Sequence, residues 1–370
     1  MPLTTGSAAH EKKYIILHNQ NYIFLNCTIF VFLKKHQPFN VMWTYILTAV
    51  LLIAAELIYF KVADHFNIID KPNERSSHTK ITLRGGGVIF YFGVVTYFLM
   101  QGFAYPWFFA GLSLIAGISF ADDNKPQSRK LRLTIQFLGM ALMFHQWGLF
   151  DMPWYFTLIS LIFCTGILNA YNFMDGINGI TGGYSMVVIG TLWYINTYQV
   201  HFIDNELLYT LMIALAIFNF FNFRKKAKCF AGDVGALSIA FIVVFLLGQL
   251  ILTTGDIRYI ILLGVYGVDT ILTILHRLIL RRNIFKPHRG HMFQIMANEL
   301  KMGHLRVAAI YMLAQLLMTI GFLATSHKCC YFVGILVVFC IIHILFKMKH
   351  FNKYRNSKRL REMENRKNIT

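Results

Sequence analysis

The sequence has few charged residues for its length. Only 14% of its 370 residues are Asp, Glu, Lys or Arg, whereas a soluble globular domain has roughly a quarter. Hydrophobic residues make up 56% of the chain, and the mean hydropathy is +0.52. This shortage of charge, combined with repeated long apolar runs, excludes an ordinary soluble protein and indicates an integral membrane protein.

Cysteine pairs at metal-binding spacing are also missing. The chain has six cysteines, and none of them forms the Cys-x-x-Cys pattern that is typical of a zinc site. No internal repeat is present, and the only biased stretch is the basic end of the chain. The apolar runs leave no room for a separate soluble domain, so we predict that the membrane domain does the chemistry.

The apolar runs have the length of transmembrane helices, which need about 20 residues. Membrane β-strands would instead alternate over segments of about ten residues. We therefore predict an all-α fold, a polytopic integral membrane helical bundle with about 11 transmembrane helices. The candidate spans lie at 43–60, 86–104, 106–120, 132–149, 153–170, 182–200, 206–223, 234–252, 257–275, 304–324 and 329–346.

Lys and Arg are distributed unevenly between the two sides of these spans. The segments after odd-numbered candidate helices contain many of them, whereas the segments after even-numbered helices contain almost none. Because Lys and Arg accumulate on the cytoplasmic side, we predict that the core begins outside and that the C-terminus is cytoplasmic. The net charge of +18 then reflects topology and contact with membrane lipid, and we expect no nucleic acid as a partner.

The two ends of the chain differ from the core. The apolar stretch within residues 1–41 contains a polar run, His18–Asn21, that makes it a poor span, and it has no clear cleavage site. Met42 stands directly before the first convincing helix. We predict an N-terminal extension at 1–41, which is a candidate for a misassigned start, a transmembrane catalytic domain at 42–346 and a basic cytoplasmic tail at 347–370.

The stretch NAYNFMDGINGITGG, at 169–183, directly follows one of the most apolar runs. Asn169 and Asn172 are three residues apart and share a helix face, which Asp175 continues where the helix ends. A helix cap and a turn would explain the glycines of this stretch but not its stripe of Asn and Asp. Polar groups at membrane depth usually face a cavity or a partner, so we interpret the stripe as part of a site.

Two further clusters are acidic. Asp122 and Asp123 stand at a helix end, close in sequence to Lys125, and Asp233 stands between glycines at a helix start. The first pair could be a solvated helix end or could include a base, and the second carboxylate could cap its helix. Alternatively, Asp233 could hold Mg²⁺, which is commonly bound through one or two carboxylates together with substrate phosphates.

Two more clusters are basic. Arg75 and His78 lie in the first long loop, and His288, Arg289 and His291 lie in the segment RRNIFKPHRGHMFQ. These residues could belong to ordinary topogenic loops. They could also form anion sites, since Arg binds phosphate with a planar fork of donors. No further Cys or His stands beside the last cluster, so phosphate is favoured over zinc.

All five clusters fall on the side of the membrane that the charge distribution marks as cytoplasmic. Carboxylates and amides suit a divalent metal ion, and Arg and His suit phosphate oxygens. The combination predicts a site for a magnesium diphosphate, with the second reactant reached from the bilayer.

These motifs resemble those of the polyprenyl-phosphate N-acetylhexosamine-1-phosphate transferase family: FADD at 120–123, NAYNFMDGINGI at 169–180, FAGDVG at 230–235 and PHRGH at 287–291. The resemblance implies transfer of a sugar 1-phosphate from a UDP-N-acetylhexosamine to undecaprenyl phosphate, with release of UMP. The product would start O-antigen, capsule or another envelope glycan, at the cytoplasmic face of the inner (plasma) membrane. The family also implies Mg²⁺, for which Mn²⁺ can substitute, and a homodimer.

The resemblance also implies residue roles. Asn172 and Asp233 correspond to the metal ligands. Asp122 or Asp123 corresponds to the group that deprotonates or positions the lipid phosphate, and Asp175 to an acid of the nucleotide or metal site. The expected diphosphate- and nucleotide-binding residues are His288, Arg289, His291, Asn169, Arg75, His78 and Lys125.

Two alternatives stay open. A phospho-MurNAc-pentapeptide transferase belongs to the same family, but the short HRGH segment is more similar to the glycan-initiating branch and favours UDP-GlcNAc or a related donor. A membrane transporter would place its polar groups near the bilayer midplane and not at helix ends. Ala236 and Leu83 depart from the Ser and Pro of many family members, and neither change removes a charge.

Overall fold

The computed structural model describes residues 38–70, 81–282 and 289–367, and side chains within 42–70, 81–282 and 289–350. The chain divides into a short unit, Met1–Thr44, and a large unit, Tyr45–Thr370. The predictions for Arg75, His78 and His288, and nearly all of the predicted extension, lie outside the described residues.

Eleven helices of 13 residues or more follow one another within the described part of the chain. They are α1 Pro38–His65, α2 Val88–Met100, α3 Pro106–Asn124, α4 Arg129–Gln146, α5 Trp154–Met174, α6 Ile180–Tyr198, α7 Asn205–Asn222, α8 Gly232–Thr254, α9 Gly264–Ile279, α10 His304–Ala324 and α11 Lys328–Lys367. A two-stranded antiparallel sheet joins β1, Ile69–Asp70, to β2, Thr82–Leu83, with Ile69 opposite Leu83.

The helices coincide with the eleven predicted spans, so the all-α membrane fold is confirmed. Seven segments of the described chain are long and apolar enough to cross a membrane. The number of spans and their orientation stay predictions. The ninth predicted span starts with a 3-10 turn, Ile257–Leu263, and α11 continues to Lys367, within the predicted tail.

Helix α8 lies at the centre of the bundle and packs against α2, α3, α5 and α6. Its side chains are buried along nearly the whole helix, and Phe245 stacks on Phe108 of α3 with ring centroids 3.9 Å apart. Large apolar side chains on outer helices are exposed instead, such as Ile162 at 65% and Ile279 at 79%. A surface of this kind is stable in contact with lipid.

The first turns of α2 and α8 cross at a pair of glycines. A Cβ atom added to Gly235 would lie 2.5 Å from the Cα of Gly87. Only glycine fits at such a contact, which explains the GGG run before α2 and the second glycine of the FAGDVG motif. The close approach brings the segment after β2 to the start of α8, where the candidate site lies.

Candidate active site

Asp123, in the last turn of α3, holds the start of α8. Its two carboxylate oxygens accept the backbone N–H groups of Asp233 and Val234, both at 2.9 Å. The first N–H groups of a helix have no partner inside the helix, and Ala231, which precedes α8, supplies no side-chain cap. Gly232 has a φ of +71°, and a Cβ atom there would lie 2.5 Å from the Asp123 carboxylate. The glycine therefore makes this capping arrangement possible.

Arg84 joins two of the carboxylates. Its Nε lies 2.6 Å from Oδ1 of Asp123, and its Nη2 lies 3.3 Å from Oδ1 of Asp233. The backbone around it is fixed, because Tyr59 donates its hydroxyl to the Arg84 carbonyl at 2.7 Å. Burial lowers the pKa of Arg84, but the two neighbouring carboxylates more than offset this and raise the pKa overall. The guanidinium is therefore a permanent positive charge in the site.

Asp233 also faces residues of α3, α4 and α5. Asn172 donates its amide to Oδ1 of Asp233 at 3.3 Å, and Arg132 Nη2 lies 3.9 Å from Oδ2. Arg132 pairs with Asp122 at 2.8 Å, and the carboxyls of Asp122 and Asp233 interact with each other. The carboxylate cluster, as we call it, consists of Asp122, Asp123, Asn172 and Asp233 with Arg84 and Arg132.

The donor atoms of the carboxylate cluster fit a hard divalent cation. They are carboxylate and amide oxygens, which Mg²⁺ prefers. Asn172 now presents its NH₂ group to Asp233, so binding a metal through its oxygen needs only a turn of the amide. Among the described residues no group of three His, Cys, Asp or Glu could hold a metal ion by itself. A bound cation would therefore take part of its coordination from substrate phosphate or water.

Asp175 lies beside the carboxylate cluster, in the loop between α5 and α6. Thr181 donates its hydroxyl to Oδ1 of Asp175 at 2.6 Å. Burial raises the pKa of Asp175 to about 6, and the hydrogen bond from Thr181 limits the rise. Gly179 has a φ of +83° and donates its N–H to Oδ1 of Asn222 at 2.7 Å, which fixes the loop against the end of α7.

His291 is buried and faces a carboxylate that the sequence analysis did not select. Its Nδ1 lies 3.6 Å from Oδ1 of Asp269, in α9, and only 1% of the residue is exposed. Asp269 also accepts the N–H of Met292 at 2.9 Å and the hydroxyl of Tyr311 at 2.7 Å, and it lies 3.2 Å from Nε2 of His343. We call these five residues the Asp269 cluster. In this arrangement His291 joins the loop after α9 to the buried carboxylate.

The Asp269 cluster adjoins the loop that contains Asp175. The rings of His291 and Phe173 have centroids 6.2 Å apart, and a Cβ atom on Gly176 would lie 3.1 Å from the ring of Phe293. The side chains of His291 and Phe293 therefore pack against the end of α5 and the loop that follows it.

The other predicted residues have different surroundings. Asn169 donates its amide to the carbonyl of Thr165 at 2.8 Å, inside α5. Lys125 is exposed at the end of α3, and Arg289 is half-buried and has interaction partners. Their roles, like those of the other site residues, stay predictions.

Arg132 and Asp269 were not predicted from the sequence to belong to the site. Arg132 could not be separated from its basic neighbours by pattern alone. Asp269 had a signal, because it is a lone carboxylate inside an apolar span, and such residues usually face a partner or a function.

We expect Asp123→Asn to destabilise the fold more than Asp122→Asn. An asparagine offers one acceptor oxygen where Asp123 serves two N–H groups and Arg84, so the free energy of unfolding should fall by about 2–4 kcal/mol. Asp122 accepts one backbone N–H, from Gln127, and pairs with Arg132, so it holds no helix start. Thermal unfolding of both variants in the same detergent measures the difference, and equal losses would contradict the capping role.

Comparison with known proteins gives a family match. Residues 105–251 match the family described as "Glycosyl transferase family 4". This segment contains the acidic and amide members of the carboxylate cluster, which lie on α3, α5 and α8. Over this segment the chain is similar to the family.

Individual relatives agree with the family match. A "Probable undecaprenyl-phosphate N-acetylglucosaminyl 1-phosphate transferase" of Bacillus subtilis (strain 168) is 27% identical over 252 residues, 62% of this chain and 70% of the relative. An "Undecaprenyl-phosphate alpha-N-acetylglucosaminyl 1-phosphate transferase" of Escherichia coli O157:H7 is 27% identical over 333 residues, 81% and 89% of the two chains. A "Phospho-N-acetylmuramoyl-pentapeptide-transferase" of Listeria monocytogenes serotype 4b is 28% identical over 199 residues, 46% and 60%. The chain thus aligns over more of its length with the N-acetylglucosaminyl relatives than with the pentapeptide transferase.

Proposed function

We propose that this protein is a membrane transferase that moves a sugar 1-phosphate from a UDP-N-acetylhexosamine to undecaprenyl phosphate and releases UMP. The observation that supports this most is the carboxylate cluster, where oxygen donors from three helices meet two arginines at one end of the bundle. That chemistry suits a metal-bound diphosphate held beside a lipid phosphate. The names of the relatives support the same reaction.

In the proposed reaction an oxygen of the lipid phosphate attacks the β-phosphorus of the UDP-sugar, and the bond to the α-phosphate oxygen breaks to release UMP. Asp233 and Asn172 would hold Mg²⁺, which would neutralise charge on the diphosphate oxygens. Arg84 and Arg132 keep Asp233 in place and add positive charge beside the reacting phosphates.

Asp122 is the better placed of the two adjacent aspartates to orient the lipid phosphate. Both oxygens of Asp123 are occupied by the start of α8, whereas Asp122 accepts one backbone N–H, from Gln127, and pairs with Arg132 through its other oxygen. A phosphate monoester has a second pKa near about 6 and is largely a dianion at neutral pH. A strong base is therefore not required, and positioning is enough.

We further propose that the donor is UDP-GlcNAc or a close relative, and that the site faces the cytoplasm at the inner membrane. The longer alignments with N-acetylglucosaminyl transferases support the donor. The concentration of Lys and Arg in the segments that bear the site supports the orientation.

Purified protein with Mg²⁺, undecaprenyl phosphate and a panel of UDP-N-acetylhexosamines tests the proposal through release of UMP. UMP that depends on both lipid and Mg²⁺ is the expected result, and the reactive donor names the sugar. UDP-MurNAc-pentapeptide belongs in the panel, and a response to that donor alone would favour the pentapeptide transferase. No UMP with any donor, from folded protein, would contradict the transferase and favour a transporter.

We expect the transfer rate to fall as the pH is lowered through about 6, where Asp175 gains a proton. The hydrogen bond from Thr181 lowers the pKa of Asp175, so Thr181→Val should raise that pKa and move the acid limb of the rate profile to higher pH. Thr191→Val is the matched control, because Thr191 is a buried threonine of the same helix that bonds only to the carbonyl of Val187 among the described residues. The lipid phosphate titrates equally in the wild type and both variants. If the acid limb of the rate profile lies at the same pH in Thr181→Val and Thr191→Val, the role of Asp175 is contradicted.

A further inference from the structure

A basic pocket lies between the end of α9 and the middle of α11, one helical turn beyond the Asp269 cluster. It has no lining residue in common with the carboxylate cluster. Its polar lining consists of Thr273, His276, Arg277, Arg282, Gly290 and Lys347.

Lys347 is a buried cation with a neutral partner. It is 8% exposed, and its ammonium donates to the hydroxyl of Thr273 at 2.7 Å. An ammonium has three donors, and burying it without a counter-ion is costly. Among the described residues no carboxylate lies within salt-bridge distance of Lys347. An anion in the pocket would supply the missing acceptors.

The Asp269 carboxylate is already engaged, and it also accepts the hydroxyl of Thr273 at 3.2 Å. Asp269 lies one turn before Thr273 on α9 and accepts hydrogen bonds from Tyr311 and Met292, with His343 beside it. Arg282 lines the pocket, and no ion pair joins it to a carboxylate of the described chain. The pocket thus concentrates positive charge, and an Arg fork next to a Lys point charge is a common phosphate site.

The surroundings of the pocket are apolar and face outward. Leu280 lines the pocket and is 39% exposed, while Ile279 beside it is 79% exposed. On α11, Leu345 and Met348 flank Lys347 and are 58% and 70% exposed. Such faces contact acyl chains, and basic residues at the end of a membrane helix lie at headgroup level. A ligand with a phosphate and an acyl chain fits both surfaces.

We propose that this pocket binds the headgroup phosphate of an anionic phospholipid, at a site separate from the carboxylate cluster. The inference goes beyond the proposed transfer reaction and does not rest on it. Binding there would join the end of α9 to α11, next to the loop that contains His291.

The test uses the full chain in a neutral detergent, without UDP-sugar. Bound lipid is counted by native mass spectrometry, and the thermal midpoint is followed as phosphatidylglycerol is added. Lys347→Met and Arg282→Gln remove the two charges. Lys349→Met and Arg281→Gln are matched controls, because both residues are exposed neighbours outside the pocket lining.

We expect phosphatidylglycerol to bind the wild type and both controls, and to bind each pocket variant at least about tenfold more weakly. Phosphatidylcholine should bind none of them comparably. Equal binding by pocket variants and controls would overturn the proposal. Equal stabilisation by inorganic phosphate alone would overturn the lipid assignment and favour a soluble phosphate. A response to undecaprenyl phosphate alone, without a response to phosphatidylglycerol, would overturn the lipid assignment in favour of the acceptor substrate. Because no transfer is measured, these outcomes are independent of the proposed function.

Discussion

Asp233→Asn is expected to lower the rate of sugar-phosphate transfer by about a hundredfold to a thousandfold while the protein still folds and inserts. Asp233 is the meeting point of Arg84, Arg132 and Asn172, so its carboxylate is the expected first ligand of the metal ion. The fold is retained because the side chain of Asp233 does not cap its own helix; Asp123 does so. UMP release at saturating Mg²⁺ measures the loss.

Asp256→Asn is the matched control for this variant. Asp256 follows the opposite end of the same helix, where it pairs with Arg258 at 2.7 Å. A half-buried pair at the surface contributes about 0–1 kcal/mol, and asparagine can still accept the N–H of Arg258, so both stability and transfer should stay near wild type. Retention of most of the activity in Asp233→Asn would rule out the metal-ligand role.

Asp269→Asn is expected to lower the free energy of unfolding by about 3–5 kcal/mol, because it removes a buried charge between two histidines. Transfer should fall as well, since the N–H of Met292 and the ring of His291 lose the carboxylate that fixes them. Thermal unfolding in detergent gives the first effect, and the transfer rate below the unfolding temperature gives the second.

Tyr311→Phe provides a graded comparison for Asp269→Asn. It removes one hydrogen bond to the same carboxylate and keeps the charge, so the expected loss is about 1 kcal/mol, with a smaller effect on transfer. If the two variants lose equal stability, the negative charge of Asp269 is not what holds the loop.

Periodicity and hydropathy were sufficient to predict the helices, because a membrane span must satisfy its backbone within one long apolar segment. They could not predict the interrupted start of α9 or the length of α11. The start of α9 depends on the 3-10 turn at Ile257–Leu263, and α11 extends past its apolar part into a basic helix. Neither the 3-10 turn nor the extension of α11 can be predicted from local composition.

The site was only partly predictable. Asp122, Asp123, Asn172 and Asp233 were recognisable from their motifs, and the structure brings them together. The different roles of Asp122 and Asp123 could not be predicted, because they depend on which carboxylate accepts the first N–H groups of α8. Asp269 was missed because its partners come from three separate segments and share no sequence pattern.

The central position of α8 also determines when the site can form during synthesis. Arg84 and Asp233 are 149 residues apart in the chain. At about 5–20 residues per second, Arg84 leaves the ribosome roughly 7 to 30 s before its partner exists. Until then Asp123 has no helix start to cap, and Arg84 has only part of its ion pairing. The helices made before α8 therefore lack their central packing partner. When α8 is inserted, the core of the bundle and the site are completed in the same step.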